Sequence, residues 1–231
     1  MTSFHDAELG EILVRRSPHS RAIRIRVGTD GRLVASAPPL TPLFILKQTV
    51  RASRSELSKL LNTSHIRIYR DGDQLGQSHQ LRIVPQAANQ VLATHTSGRI
   101  VTVTLPMGNQ PTDDDVQAHI RAAVIKLLRK EAKVYLDVRL DVLARRHNFH
   151  YQKIRYTHAA TRWGSCSSTG TISLNIALMS LPLDLIDYVL IHELCHTRHM
   201  NHSTAFWQEV ATIDPHYKLH RRQLKAKTPV I

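Results

Sequence analysis

The 231-residue chain is short of the residues that mark several common protein classes. Aromatic side chains make up 5% of it, so a base-stacking surface for single-stranded nucleic acid is not expected. Cys166 and Cys195 are the two cysteines, too few for a disulfide framework, and free thiols are the expectation. Long hydrophobic runs are missing as well. The apolar stretch 33–46 is broken by Pro38, Pro39 and Pro42 and is too short to span a bilayer. Residues 1–10 carry Asp6 and Glu8 and no apolar run, unlike a secretory signal. Together these features predict a cytoplasmic chain with no membrane partner. There is no Gly-rich phosphate loop, no internal sequence repeat and no low-complexity tract. Acidic residues are scarce too: 18 against 31 basic ones, a formal net charge of +13. Such a balance suits binding of DNA or nucleotides, and equally suits an ordinary solvated basic exterior.

What is present reads as a globular α+β chain, with 42% hydrophobic and 21% charged residues. Residues 11–37 predict a β-hairpin. Ile23, Ile25 and Val27 alternate with Arg24 and Arg26, and Thr29-Asp30-Gly31 is a turn signal before Leu33 and Val34. Residues 41–61 predict a helix through Leu43, Leu46, Val50, Leu57 and Leu60. Short strand-like runs follow at 67–69, 80–84, 90–92 and 99–103. The Pro106-to-Pro111 segment then suggests a boundary between a β-rich N-terminal part, 1–110, and a second domain, 111–231. Thr112 and Asp115 fit a capping box. Val116, Ile120, Ala123, Leu127, Tyr135, Val138 and Val142 mark a long amphipathic helix to about Arg146, with a basic opposite face.

Residues 152–157 and 171–176 predict paired strands around a Gly/Ser-rich loop at 162–170. Pro182 and Asp184 suit a helix start, and Leu185, Ile186, Val189 and Leu190 follow at helical spacing. That helix carries His192-Glu193-Leu194-Cys195-His196. Residues i and i+4 share a face, so both imidazoles can reach one cation beside Glu193. This is the minimum set for a zinc-activated water with a carboxylate base. A third ligand is needed. His202 lies about 240° around an ideal helix from His196, so the chain must turn first, and Asn201 is a candidate turn residue. His199 and Glu209 are rivals; zinc's preference for imidazole favours His202. Cys195 reads as a small core residue, because three histidines already leave zinc its open position.

Several segments, taken together, resemble one family: Arg162-Trp163-Gly164-Ser165-Cys166, Ile172-Ser173-Leu174-Asn175, Asp187-Tyr188-Val189, the His192–His196 motif, and Asn201-His202-Ser203 with Phe206-Trp207. The chain closely resembles the YgjP-like metallopeptidases, relatives of the SprT-like and WLM proteases among the small zincins. The resemblance is densest over 112–220. It implies one zinc ion on His192, His196 and His202 and Glu193 as catalytic base. It also implies a small zincin-like domain in which a hairpin around Trp163–Asn175 packs beside the active helix and pairs with an extended peptide substrate. His199 stands where metzincins carry glycine, which separates the chain from that group. Arg162, Trp163, Asn175, His216 and Tyr217 are candidate substrate or oxyanion contacts, and Asp187 is a candidate to orient a ligand imidazole. Metallopeptidase activity is the leading expectation, with nucleic-acid-associated proteins as the substrates that the charge and the kinship to SprT-like proteases suggest. A metal-dependent nucleotide pyrophosphatase is the alternative, and a non-enzymatic zinc-stabilised module the third.

Overall fold

A computed structural model describes residues 2–28, 32–63, 67–85 and 91–231. The chain divides into two compact units, Met1–Arg67 with Val230, and Ile68–Pro229 with Ile231. In the first, β1 (Thr2–Asp6), β2 (Gly10–Arg16), β3 (Arg24–Val27) and β4 (Leu33–Ala37) form a sheet in the order β1-β2-β4-β3. The expected pairing of β3 with β4 is present and antiparallel, and β2 pairs with β4 in parallel. The turn signal at 29–31 lies outside the described residues. Period-two alternation puts Ile12, Val14, Leu33, Ala35 and Ala37 on one face, and this face is buried with Leu46, Val50 and Leu57. The predicted single helix is two, α1 (Leu43–Ala52) and α2 (Arg54–Thr63), parted at Ser53. The break starts α2 on Arg54, whose guanidinium donates to Asp6 at 2.8 Å and Glu8 at 2.9 Å.

The second unit opens with β5 (Gln74–Leu75), β6 (His79–Pro85), β7 (Ala93–Ser97) and β8 (Ile100–Leu105), in the order β5-β6-β8-β7. This is the strand order of the first sheet again. Leu81 faces Val101 and Ile83 faces Val103 across a parallel central pair, as Ile12 faces Leu33 and Val14 faces Ala35. The strand expected at 67–69 is irregular: the side chain of Gln117 takes both backbone groups of Tyr69, each at 2.8 Å. Gln90 lies outside the described residues, and Val91 and Leu92 are irregular.

The long helix is α3 (Asp114–Arg146). The capping box does not form: Asp113 is the N-cap, and Asp115 accepts from the adjacent Val116 N–H. Its buried line runs Val116, Ile120, Val124, Leu128, Ala132, Leu136 and Leu140, while Val138 and Val142, expected on the core face, are 65% and 45% exposed. A strict four-residue step advances about 40° past each full turn, so the contact face winds around the helix as it passes successive partners. The division expected at 110/111 is not where the units part. Val101, Val103 and Leu105 of β8 share one core with Val116, Ile120 and Val124 of α3, so the Pro106–Pro111 segment is a turn inside the unit.

A third sheet follows, with β9 (Lys153–Thr157), β10 (Gly164–Cys166) and β11 (Thr171–Asn175) in the order β10-β11-β9. The expected strands β9 and β11 do pair, but in parallel; the hairpin is β10 with β11, formed within the loop. After a 3-10 turn at Ile176–Ser180 come α4 (Leu183–Cys195), α5 (Thr204–Ile213) and α6 (Tyr217–Lys225). Among the described residues no helix is long and apolar enough to cross a membrane.

Candidate metal centre

Helix α4 is buried through Leu185, Ile186, Val189, Leu190 and Leu194, so its position is set by the core. It ends at Cys195, and Thr197, Arg198 and His199 turn the chain through N–H bonds back to Leu194 and Cys195 at 2.9–3.1 Å. No left-handed residue is used; Asn201, expected in that role, has a negative φ. The turn brings His202, just before α5, back over α4.

There the three imidazoles meet. His192 Nε2 lies 3.2 Å from His196 Nε2 and 3.1 Å from His202 Nε2, and the three ligand atoms lie within 4.8 Å of one another. Nitrogens held 2.0–2.1 Å from zinc at tetrahedral angles stand about 3.3 Å apart, close to both separations measured from His192. Tautomer and charge fit as well. His196 Nδ1 is 2.9 Å from the His199 carbonyl, and donation there leaves the Nε2 lone pair facing inward. Burial is the main cause that pushes the His192 pKa down to about 3, with His196 and His202 adding to it, and burial lowers that of His202. Both are therefore neutral near pH 7. Phe206, fully buried, backs the cluster, its ring stacked on His196 at 4.5 Å and edge-on to His192 and His202.

Glu193, next along α4, is 4% exposed, and burial pushes its pKa up to about 8 against the opposing charge of Arg162. Its Oε2 is buried without a hydrogen-bond partner among the described residues. The carboxylate lies flat against Gly164 of β10: a Cβ there would sit 2.5 Å from Glu193 Oε1. Nothing in the sequence spacing indicated this contact.

The rival ligands are occupied elsewhere. Glu209 pairs with Arg198 and with His199, whose Nε2 lies 3.1 Å from Glu209 Oε2. Cys195 is fully buried and its thiol is pushed up to about 12, as a core residue should be. Asp187 does not orient an imidazole. It forms a two-pronged pair with Arg139 of α3, with Nε at 2.7 Å. Asn175 is not offered to a substrate either: it is fully buried, its amide donates to the carbonyls of Ala159 and Arg162, and its oxygen accepts from Ala177 N–H. Trp163 is half-buried beside β10, its carbonyl held by Asn175 N–H. Tyr217 stacks on Trp207 at 5.6 Å, and Trp207 stacks on His202 at 5.4 Å, which keeps Tyr217 near the cluster. His216 is exposed at the start of α6. Sequence reasoning missed Arg221, whose guanidinium lies 4.6 Å over the Trp207 ring. A groove of about 960 Å³ lies between α3 and the β5–β6 turn, and none of the three histidines lines it. The possible metal donors converge instead at the histidine cluster.

No curated protein is significantly similar to the chain. Among solved structures, the metallopeptidase zymogen abylysin of Pyrococcus abyssi is 25% identical with a TM-score of 0.36, over 39% of this chain and 91% of that one. The metallopeptidase zymogen jannalysin of Methanocaldococcus jannaschii is 21% identical with a TM-score of 0.33, over 38% of this chain and 93% of that one. The model of the YgjP-like metallopeptidase domain matches residues 21–227, which include the whole histidine cluster. The chain belongs to the YgjP-like metallopeptidase family, a family of metal-dependent peptide hydrolases.

Proposed function

We propose that the protein is a zinc-dependent endopeptidase in which His192, His196 and His202 hold one zinc ion and Glu193 is the general base. One observation carries the reading. His196 Nε2 and His202 Nε2 lie 3.2 and 3.1 Å from His192 Nε2, burial favours the neutral form of His192 and His202, and the residue after His192 on the helix is a buried carboxylate with an unpartnered oxygen. Zinc, when bound, supplies Lewis acidity and lowers the pKa of a water. Glu193 takes the proton of the attacking water and hands it to the leaving amine. Burial raises its pKa, and a neighbouring cation brings it back toward the ionised form that a base needs.

The edge strand β10 supports peptide capture. Trp163, Ser165 and Ser167 turn their backbone groups toward β11, since Trp163 C=O takes Asn175 N–H and Ser167 N–H reaches Thr171 C=O. By alternation, Gly164 and Cys166 direct theirs to the free edge, where an extended peptide can add as a strand. Because Gly164 touches Glu193, a chain bound there runs past the base. Arg162, whose charge opposes the rise of the Glu193 pKa, and Tyr217, linked to His202 through Trp207, are the candidates to face the carbonyl oxygen.

Glu193→Gln should retain zinc and lose peptide cleavage by about 100- to 10,000-fold. A purified variant that cleaves as well as the parent would sink the mechanism. In zinc titrations His202→Ala should weaken binding far more than His199→Ala; the reverse ranking would move the third ligand.

A further inference from the structure

The last helix carries a feature that the hydrolytic step does not need. Lys218, Arg221, Arg222 and Lys225 are all exposed, at spacings that put them on one side of α6. Tyr217 and Leu224, on the other side, pack toward the core. The helix is tied down by His220, whose Nδ1 lies 2.7 Å from Asp214 Oδ2, and by the His216 N–H on Asp214 Oδ1 at 3.0 Å.

Arg221 connects this stripe to the histidine cluster. Its guanidinium lies 4.6 Å over Trp207, and Trp207 is itself stacked on His202. Stacking fixes the plane of a guanidinium and leaves its edge donors free. Those donors meet no hydrogen-bond or ion-pair partner among the described residues. By contrast, Arg139 is engaged with Asp187, and Arg198 with Glu209 and the carbonyls of His147 and Asn148. An oriented, unpaired guanidinium one ring behind a candidate metal ligand is built to receive an anion that belongs to the bound substrate.

We infer that the Lys218, Arg221, Arg222 and Lys225 face of α6 recognises acidic side chains of the substrate, with Arg221 taking the carboxylate nearest the scissile bond. The inference rests on the peptidase reading and names its substrate class: peptides with a short acidic run beside the cleaved bond. The nine residues of α6 rise about 13 Å, the reach of roughly four extended residues. A nucleic acid is the less favoured occupant. The innermost cation is mounted on Trp207 within the cluster, and aromatic residues for base stacking are scarce in the chain.

Binding is the test, because it does not require turnover. The zinc-loaded Glu193→Gln chain is titrated into two fluorescein-labelled peptides, one with four consecutive glutamates and one with glutamines in their place. The acidic peptide should bind at least about tenfold tighter, and the preference should shrink steeply with added salt. Arg221→Gln combined with Lys218→Gln should bring the ratio close to one, with zinc content and melting temperature unchanged. Equal binding of the two peptides, or a preference that survives both substitutions, overturns the inference. So does duplex DNA that binds tighter than the acidic peptide through the same residues. Acid-selective binding without cleavage of any peptide by the unsubstituted chain removes the peptidase reading and leaves the acidic-ligand site standing.

Discussion

Gly164 shows how much one absent carbon can decide. A Cβ there would lie 2.5, 2.8 and 2.9 Å from Oε1, Cγ and Cδ of Glu193, and a carboxylate only 4% exposed has little room to retreat. Gly164→Ala therefore displaces the base and leaves the three histidines in place. Displacement of a reacting group by about 1 Å costs on the order of 100-fold in rate. The variant should keep its zinc, measured by metal analysis, and lose kcat by about that factor with a smaller change in KM. Full activity would mean that Glu193 does not depend on this seat. The Trp163-Gly164-Ser165-Cys166 segment was legible in the sequence as part of a family pattern, but its reason was not, since the contact joins a strand to a distant helix. Asp187 failed as an imidazole partner for a reason the helix itself contains. Five residues before His192 is about 140° around α4, which turns the carboxylate toward Arg139 instead. Asn175 was a candidate substrate contact from the family-like segment Ile172–Asn175; its burial and its side-chain bonds to Ala159, Arg162 and Ala177 assign it instead to joining the loop before β10 to the turn after β11.

At the scale of elements, the site depends on how one helix ends and the next begins. The His192-to-His196 spacing was fully legible, because it needs only the geometry of α4. The return of His202 required knowing that the chain turns within a few residues, and the turn is made by backbone bonds to Leu194 and Cys195, which leave no mark on composition. Ser203 then caps α5, its hydroxyl accepting from Phe206 N–H at 3.4 Å. The cap sits between His202 and Phe206, the ring that backs all three imidazoles. Loss of such a cap costs about 1 kcal/mol. Ser203→Ala should therefore lower the melting temperature and, by loosening the delivery of His202, weaken zinc about fivefold in a chelator competition. An unchanged zinc affinity beside a lowered melting temperature would show that the cap serves α5 alone. Helix α3 carries the opposite lesson. Its existence was plain from periodicity, and Tyr135 packs against the core as expected, yet its last turns were assigned the wrong face. Val138 and Val142 continue the apolar spacing but point to solvent, because the partners of α3 change along its length.

For the whole molecule, the two halves use one sheet topology with different side chains, which is why no repeat is visible in the sequence. Leu81 and Ile83 stand where Ile12 and Val14 stand, so the apolar pattern recurs while the identities do not. The two units differ in core size. The first rests on a small set around Ile12, Leu33, Leu46 and Val50, whereas the second continues from the sheet through α3 to α4 and α5. A small core leaves more of the first unit's stability to polar ties, and Asp6 is the central one. Its carboxylate is 7% exposed, takes Arg54 at 2.8 Å and accepts from the N–H groups of Glu8 and Leu9. The Arg54 bond, with the two backbone bonds, holds the Asp6 pKa below its ordinary value despite burial. A folded pKa below the unfolded one stabilises fully above the unfolded value, near 3.9, and the benefit is lost as pH falls through the lowered one. Asp6→Asn should thus destabilise the first unit at pH 7 by about 1–2 kcal/mol, since it weakens a charge-assisted bond and its backbone partners. The gap between parent and variant should close below about pH 4. Urea titrations at pH 7 and pH 3, read by hydrogen exchange in the peptides of residues 2–16, measure both quantities. Equal stability at pH 7, or a gap that widens on acidification, would show that Asp6 is not what ties this unit together.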